Sequence, residues 1–265
     1  FETISGLTTT GSSILSDVEN LSRCTLFWRS FTHWIGGMGV LVLILAILPL
    51  AGGYNMHLMR AESPGPSVGK LVPRVRHTAR ILYGIYMAMT VLLIVLLIIS
   101  GMSFFEATTL AFGTAGTGGF GVLNSSIASY NVASQILITV FMILFGINFN
   151  VFYLLLIRKA KDAFKFEELR YYLLIIAVAI GLITWNIHGM FENVWEALHQ
   201  ASFQVASIIT TTGYATADYG LWPIFSQTIL VVLMFIGACA GSTGGGIKVS
   251  RFVILFKLVK NEISH

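Results

Sequence analysis

The sequence predicts an all-α, polytopic membrane protein built from repeated units, each with a short re-entrant helix and loop between two spanning helices. Three observations lead there. Hydrophobic residues make up 55% of the chain and charged residues 11%, where a soluble domain is roughly a quarter charged. Apolar stretches recur at 41–50, 91–99, 136–147, 173–183 and 229–240, and with their flanks most of them reach the ~20 residues a spanning helix needs. One motif returns three times at a spacing of roughly 100 residues, room for two spanning helices and a re-entrant segment per unit.

In chain order, FETISGLTTTG (1–11) is read as the end of a re-entrant helix and its loop. A polar outer loop (12–22) precedes an inward helix over about 27–50. A basic loop leads to an outward helix over about 81–100. A semi-apolar segment, too short to span, carries LAFGTAGTGGFG (110–121). Another polar loop (124–131) and a continuous inward helix over 133–157 follow. A second basic loop leads to an outward helix over 171–187, a second short segment, and FQVASIITTTG (203–213). The outer loop 216–222 and an inward helix from Pro223 close the pattern. The chain opens at Phe1, inside a re-entrant helix and without Met or a visible signal peptide, and is read as a fragment.

Charge placement orients these elements. Arg60, Lys70, Arg74, Arg76 and Arg80 form one cluster. Arg158, Lys159, Lys161, Lys165 and Arg170 form another, and Lys248, Arg251, Lys257 and Lys260 close the chain. The positive-inside rule puts these in the cytoplasm and the segments with Asp17, Glu19, Glu192, Glu196 and Asp218 outside. The basic clusters can also serve lipid head groups or a partner. Cys24 and Cys239 fall on opposite halves of the membrane and are not expected to pair.

Aligning Gly11, Gly119 and Gly213 superposes TTTGS, GTGGF and TTTGY. Irregular backbone at membrane depth is tolerated only where protein or water covers it. Glycine admits backbone angles that let successive carbonyls point one way, and rings of such carbonyls can replace the hydration shell of potassium. The C-terminal end of each preceding helix, partly negative, favours a cation. One such cluster alone would suit close helix packing; three in the same topological position point to a cation pathway.

Other motifs are weaker. Gly116-Thr-Gly118-Gly-Phe-Gly121 satisfies G-x-G-x-x-G, but a dinucleotide site needs a preceding strand and a following helix. The run Gly241, Ser242, Thr243, Gly244, Gly245 and Gly246 should break the third inward helix in mid-membrane. It is no Walker loop, since Ile247 separates it from Lys248. Such a break can be a static kink or a gate moving between two positions. Lys248 is either an interfacial anchor, the favoured reading, or a charge near the pathway. Trp28, His33 and Trp34 read as interface residues, Gly36, Gly37 and Gly39 as packing residues, and Glu106 as an acid favouring a helix N-terminus. His188 and His199 lack metal-ligand spacing. With no catalytic pair in view, the chain reads as a non-enzyme.

The stretches FETISGLTTTGSS, FWRSFTHWIGGMGVLVLILAILP, MRAESPGP, KLVPRVRHTARILYGIY, ITTTGYATADYG and GACAGSTGGGIKVSRF resemble the Trk/Ktr potassium-uptake family, in particular its TrkH-type membrane subunit, over essentially the whole chain. The resemblance implies four pore-loop repeats about a pseudo-fourfold axis, potassium-channel-like. Of these, repeats at 1–50, 81–157 and 171–265 are present, while the N-terminal helices, the fourth repeat and the arginine the family places below the filter are absent. It implies filter carbonyls at Thr8, Thr9, Thr10, Gly11 and Ser12; at Gly116, Thr117, Gly118, Gly119 and Phe120; and at Thr210, Thr211, Thr212, Gly213 and Tyr214, with 241–246 as the gating loop.

The function so implied is potassium uptake across a bacterial inner membrane by a lipid-embedded homodimer, with a cytosolic TrkA-like nucleotide-binding regulatory subunit. No covalent cofactor and no nucleic acid are expected, and potassium is the substrate. The alternative is a secondary transporter of a small solute using a broken-helix site; the repeats in view share one orientation, which argues against inverted halves.

Overall fold

The computed structural model describes residues 1–39 and 75–263. The expected inner end of the first inward helix, with the apolar stretch 41–50, and the basic loop up to residue 74 lie outside the described residues. Among the described residues all regular structure is helical, apart from one isolated parallel bridge between Ile236 and Ile247.

The elements follow the expected order. Helix α1 (Glu2–Leu7) ends at the first loop. Helix α2 (Arg23–Gly37) starts at Ser22, whose hydroxyl accepts the N–H of Thr25 as an N-cap does. Helix α3 (Val75–Ile99) occupies the expected outward span, and its stretch 80–99 is long and apolar enough to cross a membrane. Helix α4 (Phe104–Ala115) starts in a capping box formed by Ser103 and Glu106, two orphan donors satisfied reciprocally. The acid read from the sequence thus has a defined partner.

Helices α5 (Val132–Phe145) and α6 (Phe149–Leu156) occupy the expected second inward span, and here the structure corrects the sequence reading. Instead of one helix over 133–157 there are two, bent by 92° at 146–148. The cause is local and tertiary together. Asn148 accepts the N–H of Asn150 and starts a new helix. A Cβ on Gly146 would lie 2.2 Å from the Tyr172 hydroxyl and 2.9 Å from Thr210 Cγ2, so only glycine fits the bend. The backbone groups freed there bond elsewhere, as described below, and such re-satisfaction is what a break at membrane depth requires.

Helix α7 (Ala160–Phe164) is a short connector carrying part of the second basic cluster. Helix α8 (Glu167–Ile187) is the second outward span, with 167–190 long and apolar enough to cross. Helix α9 (Val194–Ile209) leads to the third loop. Helix α10 (Ile224–Phe235) occupies the start of the expected third inward span and stops at Ile236, several residues before the glycine run. Helix α11 (Val249–Ile263) resumes beyond it. The interruption is therefore longer than the expected break at 241–246.

Two apolar clusters hold the helices together. In one, α4 packs between α2 and α3, with Tyr86, Leu93, Leu110, Phe141 and Phe145 buried; in the other, α9 packs between α8 and α10 around Tyr172, Ile183, Ala201, Ile209 and Leu230. Helices α4 and α9 are thus each packed between two neighbours, with the Thr-Gly loops at their C-terminal ends. Cys24 is exposed and Cys239 buried, and both are free thiols.

Candidate functional site

Each Thr-Gly loop begins where a short helix ends. Thr8, Gly116 and Thr210 cap α1, α4 and α9. The next residue, Thr9, Thr117 or Thr211, has a left-handed φ of 52°, 50° or 59°. The residue after it returns its N–H to the helix: Thr10 to Ser5 at 2.9 Å, Gly118 to Gly113 at 3.1 Å and Thr212 to Ser207 at 2.9 Å. This is the Schellman ending, in which glycine is the usual left-handed residue. A β-branched residue there costs about 1–2 kcal/mol and persists only where its surroundings over-determine it. Threonine stands there three times.

Two residues later the backbone is left-handed again, at Gly11, Gly119 and Gly213, with φ of 74°, 82° and 83°. A hydroxyl bonded to the carbonyl after the glycine closes each loop. The carbonyl of Ser12 accepts the Ser5 hydroxyl at 2.6 Å, that of Tyr214 accepts the Ser207 hydroxyl at 2.6 Å, and that of Phe120 accepts the Tyr214 hydroxyl at 3.2 Å. The loops stand edge to edge in chain order. A Cβ on Gly11 would meet the Gly118 carbonyl oxygen at 2.0 Å, and one on Gly119 the Thr212 carbonyl oxygen at 2.0 Å; one on Gly213 would meet nothing within 4 Å. All fifteen loop residues singled out in the sequence therefore come together in one arc.

The loops differ in side chains. In the first, the hydroxyls of Thr8 and Thr10 pair at 2.8 Å, and in the third those of Thr210 and Thr212 pair at 2.8 Å. The second loop has Gly116 and Gly118 at these positions, and its surroundings are those of a buried segment, with Thr117 and Phe120 both enclosed.

The glycine segment docks against the same arc. Thr117 Oγ1 donates to the Thr243 carbonyl at 2.9 Å, and the Gly245 N–H donates to Thr211 Oγ1 at 2.7 Å. The segment also fills the break between α5 and α6: Cys239 N–H donates to the Gly146 carbonyl at 3.0 Å, Phe149 N–H to the Gly241 carbonyl at 3.0 Å, and Thr243 Oγ1 to the Phe145 carbonyl at 3.2 Å. Its ends close on each other through Gly237 N–H to Ile247 O at 2.8 Å and Val249 N–H to Ala238 O at 3.3 Å. Lys248 Nζ donates to the Gly244 carbonyl. The lysine therefore folds back onto the segment.

One residue with structural work here has no signal in the sequence, and two others stand elsewhere than the interfacial expectation put them. Glu168, in the first turn of α8, accepts with one carboxylate oxygen the N–H of Ala240 at 2.7 Å and of Ser250 at 3.1 Å. It spans the two ends of the glycine segment, and nothing in its spacing signals this. His33 is completely buried against the second loop, and Trp34 is buried with its indole N–H donating to Thr90 Oγ1 at 3.2 Å. Only Trp28, half-exposed, matches the interfacial expectation.

Asn124 ties the loops after the first and second motifs. It donates to Asp17 Oδ1 at 2.8 Å and accepts the Val18 N–H at 2.9 Å, and its own N–H reaches Glu19 at 2.9 Å. Hydrogen bonds to Asp17 from Asn124, the Glu19 N–H and Asn20 hold its carboxyl below the usual range, so it keeps its negative charge beside the loops.

The family model for TrkH, described as cation transport protein, matches residues 1–265. The Trk system potassium uptake protein TrkH of Salmonella typhimurium is 38% identical, over 99% of this chain and 56% of that protein. TrkG of Escherichia coli, also a Trk system potassium uptake protein, is 38% identical over 100% of this chain and 55% of its own length. The crystal structure of the potassium transporter TrkH from Vibrio parahaemolyticus superposes with a TM-score of 0.85 at 31% identity, covering 99% of this chain and 54% of that one. The chain spans about half the length of the curated relatives it matches.

Proposed function

This chain belongs to the TrkH family of cation transport proteins, polytopic membrane proteins rather than enzymes, and on that footing we propose that it carries three pore-loop repeats of a potassium uptake pathway. The repeats are 1–50, 81–157 and 171–265. Residues 8–12, 116–120 and 210–214 are its selectivity filter. The observation that carries this reading is the doubled left-handed turn, at Thr9, Thr117 and Thr211 and again at Gly11, Gly119 and Gly213, in three loops of which the second touches both the first and the third.

Alternating left-handed and ordinary residues turns successive carbonyls toward one side, and stacked rings of carbonyls can replace water around potassium. The ends of α4 and α9 aim their partial negative charge at the arc, and Asp17 and Glu19 near the outer face raise the local cation concentration. Inward movement gains ~2.3 kcal/mol per elementary charge per 100 mV, which drives accumulation without hydrolysis by this subunit.

The glycine segment 241–246 is the gate. Its support is direct bonding to two filter loops together with individual hydrogen bonds at the break between α5 and α6, from Thr243 to the Phe145 carbonyl and from the Phe149 N–H to the Gly241 carbonyl. A segment held at many weak points between two broken helices suits a two-position element. The pathway works in a bacterial inner membrane as a lipid-embedded homodimer, with a cytosolic TrkA-like nucleotide-binding subunit acting through the basic inner surface.

The test is rubidium uptake by the full-length protein in cells lacking their own potassium uptake, with sodium as competitor. Saturable uptake that sodium inhibits weakly is expected. Absence of uptake with the protein present in the membrane and a TrkA-like subunit co-expressed would refute the reading.

A further inference from the structure

The second loop departs from TTTG at Gly116 and Gly118, and these positions, with Gly113 in the helix before them, share one property: a neighbouring element occupies the volume a side chain would take. A Cβ on Gly113 would fall 2.2 Å from the Tyr214 hydroxyl, and that hydroxyl donates to the Phe120 carbonyl as Ser5 and Ser207 do within their own loops. A Cβ on Gly116 would fall 2.2 Å from the His33 carbonyl oxygen. A Cβ on Gly118 would fall 2.4 Å from His33 Cγ, Cδ2 and Nε2. At the positions of Gly116 and Gly118 the first and third loops carry the paired hydroxyls of Thr8 with Thr10 and of Thr210 with Thr212.

We infer that His33 is a positioning residue of the filter: from α2 its backbone carbonyl at Gly116 and its imidazole at Gly118 take the place of the threonine pair that the second loop lacks. Three contacts support the assignment. Phe120 donates its backbone N–H to His33 Nδ1 at 3.4 Å. The imidazole stacks on the Phe120 ring at 4.0 Å between centroids, 26° from parallel. Arg29, one turn earlier on α2, holds its guanidinium 4.1 Å from the centre of the same ring and pairs with Glu2 of α1 at 2.8 Å. The first repeat thus clamps the loop of the second. Nε2 of His33 has no partner among the described residues, and an unpartnered buried polar group costs about 1–3 kcal/mol. A ring wanted only for bulk would be better as phenylalanine.

The inference rests on the filter reading, so the experiment separates the two. In the full-length protein, rubidium uptake and its inhibition by sodium are measured for His33→Ser, Gly118→Thr and the double variant, with Gly119→Ser as the reference for the filter itself. Serine vacates the ring's volume and offers the introduced threonine a hydroxyl partner like that between Thr8 and Thr10. Each single variant should lower rubidium-over-sodium discrimination by about tenfold, and the double should recover most of it, a coupling within the range contacting residues show. If a single variant fails to accumulate in the membrane, the double must restore both its amount and its discrimination. A double variant as poor as the product of the singles, or singles with unchanged discrimination, would overturn the role of His33. If Gly119→Ser also left discrimination unchanged, the filter reading would fall with it.

Discussion

Gly119→Ser is the sharpest test of the arc. The substitution asks a side chain to sit at φ 82°, a left-handed conformation costing about 1–2 kcal/mol for an L-residue. It also places a Cβ 2.0 Å from the Thr212 carbonyl oxygen and 3.1 Å from its carbon. Carbon–oxygen contacts settle at about 3.3 Å, so the carbonyl or the whole second loop must move by roughly 1 Å. The displaced atom is one of the proposed coordinating oxygens. If the strain falls on the potassium-bound form, about 1–2 kcal/mol corresponds to a loss of about five- to thirtyfold in discrimination. Gly121→Ser is the control: its Cβ would meet only ordinary contacts, the nearest at 3.7 Å, with φ outside the left-handed region. Rubidium uptake with sodium competition, normalised to protein in the membrane, reads both. Unchanged discrimination in Gly119→Ser, or equal loss in Gly121→Ser, would refute the carbonyl-ring argument.

Further predictions concern the glycine segment and the bend it occupies. Gly246→Ala meets a left-handed φ of 73° and a Cα of Gly237 at 2.9 Å; it should change uptake rate by about tenfold while leaving rubidium-over-sodium discrimination alone, and the reverse pattern would sink the gate assignment. Gly244 is a less clean site, because its Cβ would also sit 3.1 Å from the Thr210 carbonyl. Glu168→Ala removes the acceptor shared by the Ala240 and Ser250 N–H groups, a loss of about 1–3 kcal/mol; unstimulated uptake should rise several-fold, and a resting rate equal to the parent's would mean the segment is held elsewhere. Gly146→Ala drives a methyl into the Tyr172 hydroxyl and should destabilise the protein by about 1–3 kcal/mol. Its thermal aggregation midpoint in detergent should fall and partly recover in a Tyr172→Phe background; no recovery would place the strain away from Tyr172.

The second loop shows why a repeat can be legible while its details are not. Alignment of three glycines located all three turns, because the left-handed positions are a property of the local backbone and recur wherever a Schellman ending meets TxG. The departure of GTGGF could be seen in the sequence but not explained. Its cause is His33, 87 positions from Phe120 along the chain, whose backbone carbonyl faces Gly116 and whose imidazole faces Gly118. The aromatic belt was a fair expectation for Trp28 and a wrong one for His33 and Trp34, since one helix face cannot be told from another until the partner helix is placed.

Composition, hydropathy, the placement of basic loops and the threefold motif were enough to determine a helical membrane protein of repeated pore-loop units. Each of these is a local or summed property: apolar length must match a bilayer, and glycine and threonine patterns set backbone turns one at a time. Only the tertiary structure decided that the second inward span bends by 92° at Gly146. It also decided that Lys248 turns back to Gly244, that Glu168 joins the ends of the glycine segment, and that His33 fills the place of missing threonines. Those outcomes depend on which backbone groups are left unpaired in a medium without water, and on whose side chain lies near enough to satisfy them. That is a question of neighbours in space, and the order of residues along the chain does not contain it.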